Sequence, residues 1–264
     1  MAIMNKLEKN NNINTMILCA GKGQRMRYKT KYIAKPLIKI QNKPILKTNV
    51  KYLSSIGIKN CIINNSYKHL TIQKFIKNYS YKYTLPKMYS SFEKERLETG
   101  GGVKKVLSIF NKNKILIING DSLLLRKSNS CPVKKLFKSF NSNFMSMLLL
   151  LAPINKSIGY YGRGDFIIKS NSITSRIERK KNNKSHKSFV FTGWQIIDKD
   201  LFNDIKKDNF SLNLLYDKAQ RQNSLFAVTL DGYFLHVSTP KSIIQIERFL
   251  NVNKKYLNEK NYIL

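Results

Sequence analysis

Acidic side chains are scarce in this chain: 15 Asp and Glu residues stand against 48 Lys and Arg residues, for a formal net charge of +33. Such an excess is typical of proteins that bind nucleic acids or anionic membranes. Here, however, the lysines occur in nearly every segment and accompany many Asn and Ile residues, a composition expected from an AT-rich genome. We therefore expect no specific nucleic-acid partner, although the positive field should attract anionic small molecules in a salt-dependent manner.

Cysteines and long apolar runs are also few. Cys19, Cys61 and Cys131 are widely separated and form no C-x-x-C pair, which argues against a disulfide framework or a zinc cluster and for a reducing compartment. The longest apolar run, around Met145–Ala152, is too short to span a bilayer. Residues 1–14 are polar and Asn-rich, without the apolar segment of a signal peptide. The sequence thus predicts a cytoplasmic protein that does not contact a membrane.

The motifs of covalent catalysis are missing as well. The sequence contains no G-x-S-x-G, no Cys–His pair at a suggestive spacing and no evident carboxylate pair for glycoside hydrolysis. It has no P-loop, and Met26 stands where the third glycine of a dinucleotide-binding G-x-G-x-x-G motif belongs. This scarcity of nucleophiles agrees with a reaction in which the substrate itself attacks.

A glycine loop near the start of the chain is the most informative feature that is present. The apolar run Met16–Cys19 predicts a buried strand, and it leads directly into Ala20, Gly21, Lys22 and Gly23. Glycines can adopt positive φ and let backbone N–H groups approach a phosphate closely. Arg25 follows the loop, and Lys35 returns ten residues later before a proline. These residues predict a triphosphate site; an ordinary turn between a strand and a helix is the alternative.

The first half of the chain alternates between strand and helix patterns. This alternation predicts an α/β fold with a mostly parallel mixed sheet flanked by helices, in which ligands bind beyond the carboxyl ends of strands. The glycine loop and Asp121 both follow such strands, so we expect them to converge. The expected elements are helix Pro44–Ser55, strand Asn60–Asn64, helix Leu70–Tyr79, strand Lys82–Leu85, a helix after Gly102 and strand Ile115–Ile118.

The second half is less regular. Asn171–Lys187 is polar and is expected to form a hairpin or a mobile loop, and Asp231-Gly232 is a turn signal expected to join two paired strands. The first 14 residues and residues 252–264 are expected to fray. The other expected elements are helix Pro132–Phe140, strands Met145–Leu151, Phe166–Lys169 and Phe189–Ile197, helix Leu212–Ala219, strands Leu225–Leu230 and Tyr233–Val237, and a helix from Pro240.

Asp121, the segment at Glu98 and Thr99, and His236 are further candidates for binding or catalysis. Asp121 ends an apolar strand at a glycine turn, where a carboxylate can hold Mg²⁺ or simply form the turn. Glu98 and Thr99 precede three glycines, and this segment could close over a flat base; alternatively, Thr99 caps the following helix. His236 lies at a strand end, where a lone histidine is more often structural than a ligand.

Taken together, these segments resemble the sugar-1-phosphate nucleotidyltransferases. The resemblance rests on LCAGKGQRMR with KPL, then LETGGG, NGD, GRGDF, FTG and HVSTP, which occur in the order of that family from about Met16 to Phe249. It implies a Rossmann-like nucleotidyltransferase fold and a single domain over residues 1–264. Residues 15–125 would form its nucleotide-binding half and residues 126–250 its sugar-phosphate-binding half.

The resemblance also implies a Mg²⁺-dependent transfer from an NTP to a sugar 1-phosphate. UTP and N-acetylmuramate 1-phosphate are the favoured substrates, which would place the reaction in peptidoglycan recycling. Arg25, Lys35 and Asp121 would be catalytic, and Asp121 would bind the metal, with His236 as a second candidate ligand. The residues expected around the nucleotide are Ala20, Gly21, Gly23, Glu98, Thr99 and Gly101, and those expected around the sugar phosphate are Asn119, Gly164, Asp165 and Thr192.

The sequence departs from the family pattern at His236. Many relatives carry an Asp there that serves as the second metal ligand, and histidine is a poorer ligand for Mg²⁺ than a carboxylate. Other readings therefore stay open. Within the family, the enzyme could be a mannose-1-phosphate guanylyltransferase or another sugar nucleotidyltransferase. From other classes, it could be a non-catalytic nucleotide or sugar-phosphate sensor, or an RNA-binding protein that uses its positive charge.

Overall fold

A computed structural model describes residues 14–80, 84–168, 174–179 and 188–264. Residues 1–13, most of the segment expected to fray at the start, lie outside these ranges, as do 171–173 and 180–187 of the expected hairpin or loop. No helix within the described ranges is both long and apolar enough to cross a membrane.

The described residues contain seven α-helices and fifteen strands. The helices are α1 (Ile45–Ser55), α2 (His69–Ser80), α3 (Glu98–Lys104), α4 (Pro132–Ser139), α5 (Asn213–Arg221), α6 (Pro240–Val252) and α7 (Lys254–Glu259). The strands are β1 (Thr15–Leu18), β2 (Lys39–Ile40), β3 (Lys43–Pro44), β4 (Asn60–Asn65), β5 (Lys87–Phe92), β6 (Lys114–Asn119), β7 (Ser122–Lys127), β8 (Met147–Pro153), β9 (Ser157–Ile158), β10 (Phe166–Ile168), β11 (Thr174–Arg179), β12 (Ser188–Asp198), β13 (Leu225–Thr229), β14 (Gly232–His236) and β15 (Tyr262–Ile263).

Nine strands form the central sheet, in the order β10-β11-β13-β8-β12-β6-β1-β4-β5. The four strands β6, β1, β4 and β5 are parallel to one another. Beyond β6, the sheet is antiparallel except for the parallel pair β8 and β13. The predicted α/β fold with a mixed central sheet is confirmed, and its continuous parallel part is confined to the first half of the chain.

The central sheet separates two hydrophobic cores because side chains alternate between its faces. In β6, Leu116 and Ile118 belong to the core that contains α1, α2 and α4, whereas Ile115 and Ile117 belong to the core that contains α3 and α5. All four side chains are fully buried. Burial on both faces explains why this strand is a continuous apolar run, and it brings the end of β6 beside the end of β1.

A second sheet, in the order β15-β7-β14-β9, corrects the expected hairpin at Asp231-Gly232. β13 pairs with β8 and β11 in the central sheet, whereas β14 pairs with β7 and β9 in the second one. The two strands therefore do not form a hairpin. Gly232 is needed for another reason: an added Cβ would overlap the Leu125 carbonyl oxygen of β7. The glycine permits close approach of two backbones.

Three other expectations differ from the structure. The strand expected at Lys82–Leu85 is replaced by β5, which begins after Pro86; residues 82 and 83 lie outside the described ranges, and Leu85 lies in a bend. β7, which begins directly after Asp121, was not expected. The segment 252–264, where fraying was expected, contains regular structure: α7 buries Leu257 in a separate hydrophobic core with Leu123, Leu235 and Ile246, and β15 pairs with β7.

Candidate active site

A cavity of about 200 Å³ lies at the carboxyl ends of β1, β4 and β6. Its wall contains seven residues that the sequence predicted for one site: Ala20, Gly21, Lys35, Glu98, Thr99, Asn119 and Asp121. They come from distant parts of the chain and meet because the parallel strands that precede them are neighbours. The remaining lining residues are Leu18, Cys19, Pro36, Asn64 and Arg96.

The glycine loop after β1 has two glycines in different situations. Gly23 adopts φ 63°, and its carbonyl accepts hydrogen bonds from the Met26 N–H at 2.8 Å and the Thr30 hydroxyl at 3.2 Å. It therefore shapes the loop without lining the cavity. Gly21 lines the cavity, and an added Cβ would meet no atom within 4 Å. The backbone at Gly21 is thus the part of the loop that is open to a ligand.

The Lys35 ammonium forms an ion pair and a hydrogen bond with the Asp121 carboxylate. Burial alone would raise the pKa of Asp121, but the positive charge of Lys35, the hydrogen bond from it and the nearby His236 together lower that pKa below its ordinary value. Asp121 is therefore an anion at neutral pH. The pair places one cation and one anion on the same wall of the cavity.

The turn that carries Asp121 is packed tightly against the glycine loop. The Gly120 N–H donates to the Leu18 carbonyl at 2.9 Å. An added Cβ at Gly120 would lie 2.6 Å from the Cys19 sulfur and 2.8 Å from the Leu18 oxygen. Only glycine fits there, and this contact locks the Asp121 turn onto the end of β1.

His236 interacts electrostatically with this ion pair, and Arg25 interacts with His236, although neither lines the cavity. Burial lowers the pKa of His236; Asp121 opposes this, while Lys35 and Arg25 lower it further, and the net shift is downward. The imidazole is therefore neutral at pH 7. Arg25 belongs to the 3₁₀ segment Gln24–Thr30 and is exposed. The charges of all three predicted catalytic residues thus act on His236.

The opposite wall of the cavity is formed by Arg96, Glu98 and Thr99. Arg96 donates to the Glu98 carboxylate, and Glu98 adopts an unusual φ of 60°. α3 begins at Glu98, so Thr99 is not its N-cap as the alternative supposed. The Thr99 hydroxyl instead accepts a hydrogen bond from the Leu212 N–H at 2.9 Å. This contact ties the wall to the residue that precedes α5.

Gly101 was expected beside the nucleotide, but it does not line the cavity. Its N–H donates to the Phe210 carbonyl at 3.0 Å, and an added Cβ would overlap the Asp208 carbonyl oxygen. Gly100 packs in the same way against the Phe210 ring. Gly100 and Gly101 therefore allow close packing of α3 against the 208–210 segment.

Of the residues expected on the sugar side, only Asn119 lines the cavity. Thr192 is fully buried and donates to the Leu150 carbonyl at 2.8 Å, so its hydroxyl is already occupied. Gly164 has φ 89° and packs against Ser188. Asp165 accepts hydrogen bonds from the Tyr160 hydroxyl at 3.0 Å and the Phe191 N–H at 2.9 Å.

Tyr160 links Asp165 to the ion-pair region, a role that the sequence did not reveal. Its ring packs against His236 at 5.4 Å between centroids. Burial and the Asp165 carboxylate raise the pKa of Tyr160 to about 12, so its hydroxyl stays protonated and donates. The GRGDF turn is thus connected to the Asp121 side of the site through one aromatic side chain.

Asn64 and Arg96 are the lining residues with polar side chains that sequence reasoning missed. Asn64 lies in β4, which pairs with β1 in parallel. The same strand-end rule that pointed to the glycine loop and Asp121 could have found it. Arg96 has no comparable signal, because exposed basic residues are common throughout this chain.

The chain matches one protein family, described as nucleotidyl transferase, over residues 14–251. It is 29% identical to D-glycero-α-D-manno-heptose 1-phosphate guanylyltransferase of Campylobacter jejuni over 230 residues, which cover 87% of this chain and 96% of that protein. It is 24% identical to N-acetylmuramate α-1-phosphate uridylyltransferase of Caulobacter vibrioides over 233 residues, 88% of this chain and 94% of that one.

Solved structures with the same fold include HddC from Yersinia pseudotuberculosis, with a TM-score of 0.68 and 23% identity over 89% of this chain and 98% of that chain. A putative glucose-1-phosphate thymidylyltransferase from Bacillus anthracis has a TM-score of 0.72 and 15% identity, covering 90% of this chain and 94% of that chain.

Proposed function

The chain belongs to the nucleotidyl transferase family, and from this premise we propose that it transfers a nucleotidyl group from an NTP to a sugar 1-phosphate, with release of pyrophosphate. One observation supports this above all. The Lys35 ammonium and the Asp121 carboxylate meet in a cavity whose wall also contains Gly21 and Glu98. A cation, an acidic side chain and open backbone N–H groups are what a triphosphate and its metal require.

The reaction depends on positioning and charge neutralisation rather than covalent help. A phosphate oxygen of the sugar 1-phosphate attacks the α-phosphorus of the NTP, in line with the departing pyrophosphate. Lys35 would contact both the α-phosphate and the sugar phosphate and draw them together. Arg25 would bind the leaving phosphates, and the backbone at Gly21 would contact the nucleotide in a loop that Gly23 shapes.

The donor set at the cavity fits Mg²⁺ through Asp121. Mg²⁺ commonly uses one or two carboxylates together with substrate phosphates. Over the described ranges, no group of three His, Cys, Asp or Glu side chains forms a complete metal site, so substrate phosphates and water would supply the other ligands. When bound, the ion would neutralise phosphate charge. A contribution from the His236 nitrogen stays a prediction, since imidazole suits softer metals better.

Glu98 favours GTP as the nucleotide. A carboxylate can only accept hydrogen bonds, and the Watson–Crick edge of guanine offers two adjacent donors, N1–H and N2–H, to its two oxygens. Uracil offers one. Arg96, which is hydrogen-bonded to Glu98, could donate to O6 of guanine. The 29% identity to a guanylyltransferase agrees with this choice.

UTP, which the sequence favoured, is the second candidate and is supported by the 24% identity to a uridylyltransferase. The sugar partners that accompany these bases are D-glycero-α-D-manno-heptose 1-phosphate with GTP and N-acetylmuramate 1-phosphate with UTP. Mannose 1-phosphate with GTP is a further pair, by similarity to fungal mannose-1-phosphate guanyltransferases at 24% identity. The cytoplasmic location stays a prediction.

The test is direct. Purified protein with Mg²⁺ is given each of the four NTPs together with each of the three sugar 1-phosphates, and pyrophosphate release is followed. We expect release with GTP and one sugar, and weaker release with UTP. No release with any pair would contradict the proposal and favour a nucleotide sensor or an RNA-binding protein, which equilibrium binding of nucleotides and of RNA would then separate.

A further inference from the structure

A chain of hydrogen bonds crosses the base of the cavity between its two walls. The Cys19 N–H donates to Oδ1 of Asn64 at 2.7 Å. Nδ2 of Asn64 donates to Oε1 of Glu93 at 2.7 Å. Oε2 of Glu93 accepts from the Leu97 N–H at 3.1 Å. This Cys19–Asn64–Glu93–Leu97 chain, the bridge, joins the glycine loop to the segment that carries Glu98.

The two side chains of the bridge are buried and committed to it. Asn64 is 2% exposed and Glu93 is 1% exposed. Each carboxylate oxygen of Glu93 has a donor within the bridge, and Gly102 leaves the space for it: an added Cβ would lie 2.8 Å from both Asn64 Nδ2 and Glu93 Oε1. Buried polar groups that are fully satisfied hold a defined geometry, and partial satisfaction is costly.

The bridge ends at the backbone of a residue beside each wall of the cavity. Cys19 precedes Ala20 and Gly21 on one wall, and Leu97 precedes Glu98 on the other. We propose that Asn64 and Glu93 are positioning residues that set the separation of the two walls and thereby the affinity for the nucleotide. This inference rests on the proposed function. Holding a site in its bound geometry reduces the ordering cost of binding.

The donors and acceptors of the bridge follow a fixed order, which substitutions can disturb and restore. Asn64→Asp places a carboxylate oxygen opposite Oε1 of Glu93, so that two acceptors face each other. In Glu93→Gln, residue 93 has one oxygen and one NH₂ group, but both of its partners, Nδ2 of Asn64 and the Leu97 N–H, are donors. The new NH₂ group therefore faces another donor. In the double variant N64D/E93Q, the carboxylate at position 64 accepts from the Cys19 N–H and from the new amide at position 93. The oxygen of that amide accepts from the Leu97 N–H, so the chain of hydrogen bonds is complete again, with the charge moved to position 64.

The measurements are the NTP dissociation constant, the KM values for NTP and sugar 1-phosphate, and kcat, for the wild type, both single variants and the double variant. We expect each single variant to raise the NTP dissociation constant and KM about tenfold to a hundredfold, since a buried donor or acceptor is left unsatisfied. The sugar KM should change much less. In the double variant, the NTP dissociation constant and KM should return to within about threefold of the wild-type values. A double-mutant cycle would then report strong coupling between positions 64 and 93.

Asn65→Asp is the matched control. Asn65 is fully buried beside Asn64, and its side chain lies outside the bridge, with Nδ2 donating to the Ser90 hydroxyl at 2.7 Å; its backbone carbonyl accepts from the Glu93 N–H at 2.8 Å, a contact that the substitution keeps. The variant creates a carboxylate at a neighbouring buried position and leaves the bridge intact. It should alter thermal stability without raising the NTP dissociation constant. If a single bridge variant does not fold, Glu93→Asp shortens the acceptor more gently and should raise that constant a few-fold.

Two results would overturn the inference. In the first, the single variants lose thermal stability but keep the wild-type NTP dissociation constant, which would make the bridge merely structural. In the second, the double variant is as impaired as the worse single variant.

Failure of the proposed function has a separate signature, because the wild type would then turn over no substrate pair. Amide hydrogen exchange at Cys19 and Leu97 still tests the bridge in that case. Exchange should be slow in the wild type and the double variant and faster in both single variants; equal exchange in all four would refute it.

Discussion

Lys35 and Asp121 lie 86 positions apart in the chain, yet their side chains form an ion pair at one wall of the cavity. The contact depends on two backbone features: the 3₁₀ turn Lys35–Leu37 and the Gly120 turn packed on β1. Each charge neutralises the other while no phosphate is bound. On binding of the NTP, we expect the Lys35 ammonium to move toward the phosphates and leave the Asp121 carboxylate for a metal ion.

Asp121→Asn should remove most of the activity. The variant keeps the shape of the side chain but loses the charge that would bind Mg²⁺ and that holds Lys35. We expect kcat to fall by about 10² to 10³, the range seen when one preorganised electrostatic group is removed. The measurement is pyrophosphate release over a range of Mg²⁺ concentrations.

Asp231→Asn is its control, because Asp231 is exposed and its contact with Lys127 is long, at 3.8 Å. It should leave kcat and the Mg²⁺ dependence unchanged. Wild-type turnover by Asp121→Asn would refute the metal assignment.

Lys35→Ala should reduce kcat more than it weakens nucleotide binding. Lys35 would contact the two phosphates that react, and their charge changes most in the transition state, whereas the base and triphosphate keep their other contacts. Single-turnover rates and the NTP dissociation constant should be compared with those of Lys127→Ala, a surface lysine in a weak ion pair. Equal losses in kcat and in affinity would contradict the proposed bridging of the two phosphates.

His236 should titrate below pH 6.5. Burial and the charges of Lys35 and Arg25 disfavour its protonated form, and this outweighs the attraction of Asp121. The chain contains three histidines, so NMR of the ring carbons with His236→Gln as the assignment variant gives the pKa directly. A midpoint at or above 6.5 would contradict the structure.

The same shift predicts how stability depends on pH. A histidine with a lowered pKa in the folded state takes up protons more readily when unfolded. Its contribution to stability is therefore complete above about pH 6.5 and is lost as the pH falls through the pKa of the folded state. Between pH 7 and 5, the melting temperature of the wild type should fall more steeply than that of His236→Gln.

Gly101→Ala and Gly21→Ala should have opposite consequences. Alanine normally stabilises a helix interior relative to glycine, but at Gly101 it would overlap the Asp208 carbonyl, and we expect a loss of about 1–3 kcal/mol in the free energy of unfolding. Gly21 has open space around it, so Gly21→Ala should change that free energy by less than about 1 kcal/mol and weaken NTP binding instead. Urea unfolding and nucleotide titration of both variants check this.

The sequence predicted the centre of the site because one topological rule determines it. β1 and β6 are apolar runs that pair in parallel, so the residues after each of them, Gly21 and Asp121, had to meet. Helices α1 and α2 were predicted to within a residue or two for a similar reason, since their apolar periodicity is strong.

What the sequence could not reveal is which glycines serve turns and which serve contacts. The residues adjacent in sequence to Gly232 are typical of a hairpin turn, and those adjacent to Gly101 are typical of a base-binding loop. In the structure, each glycine allows close packing against a backbone carbonyl. Such contacts involve segments far away in the chain, so no local pattern reports them. The buried bridge at Glu93 escaped notice for the same reason: its acidic side chain looks like any exposed one until the fold encloses it.

The pairing of β15 with β7 has a consequence for the order of events during protein synthesis. β7 begins directly after Asp121, but its outer neighbour contains Tyr262 and Ile263, which leave the ribosome about 140 residues later. Until then, a nascent chain that has already formed the central sheet carries an unpaired strand edge at Arg126 and Lys127, the end of β7 farther from Asp121. Such an edge can pair with another chain, so a stall in translation before Tyr262 should favour aggregation through this strand.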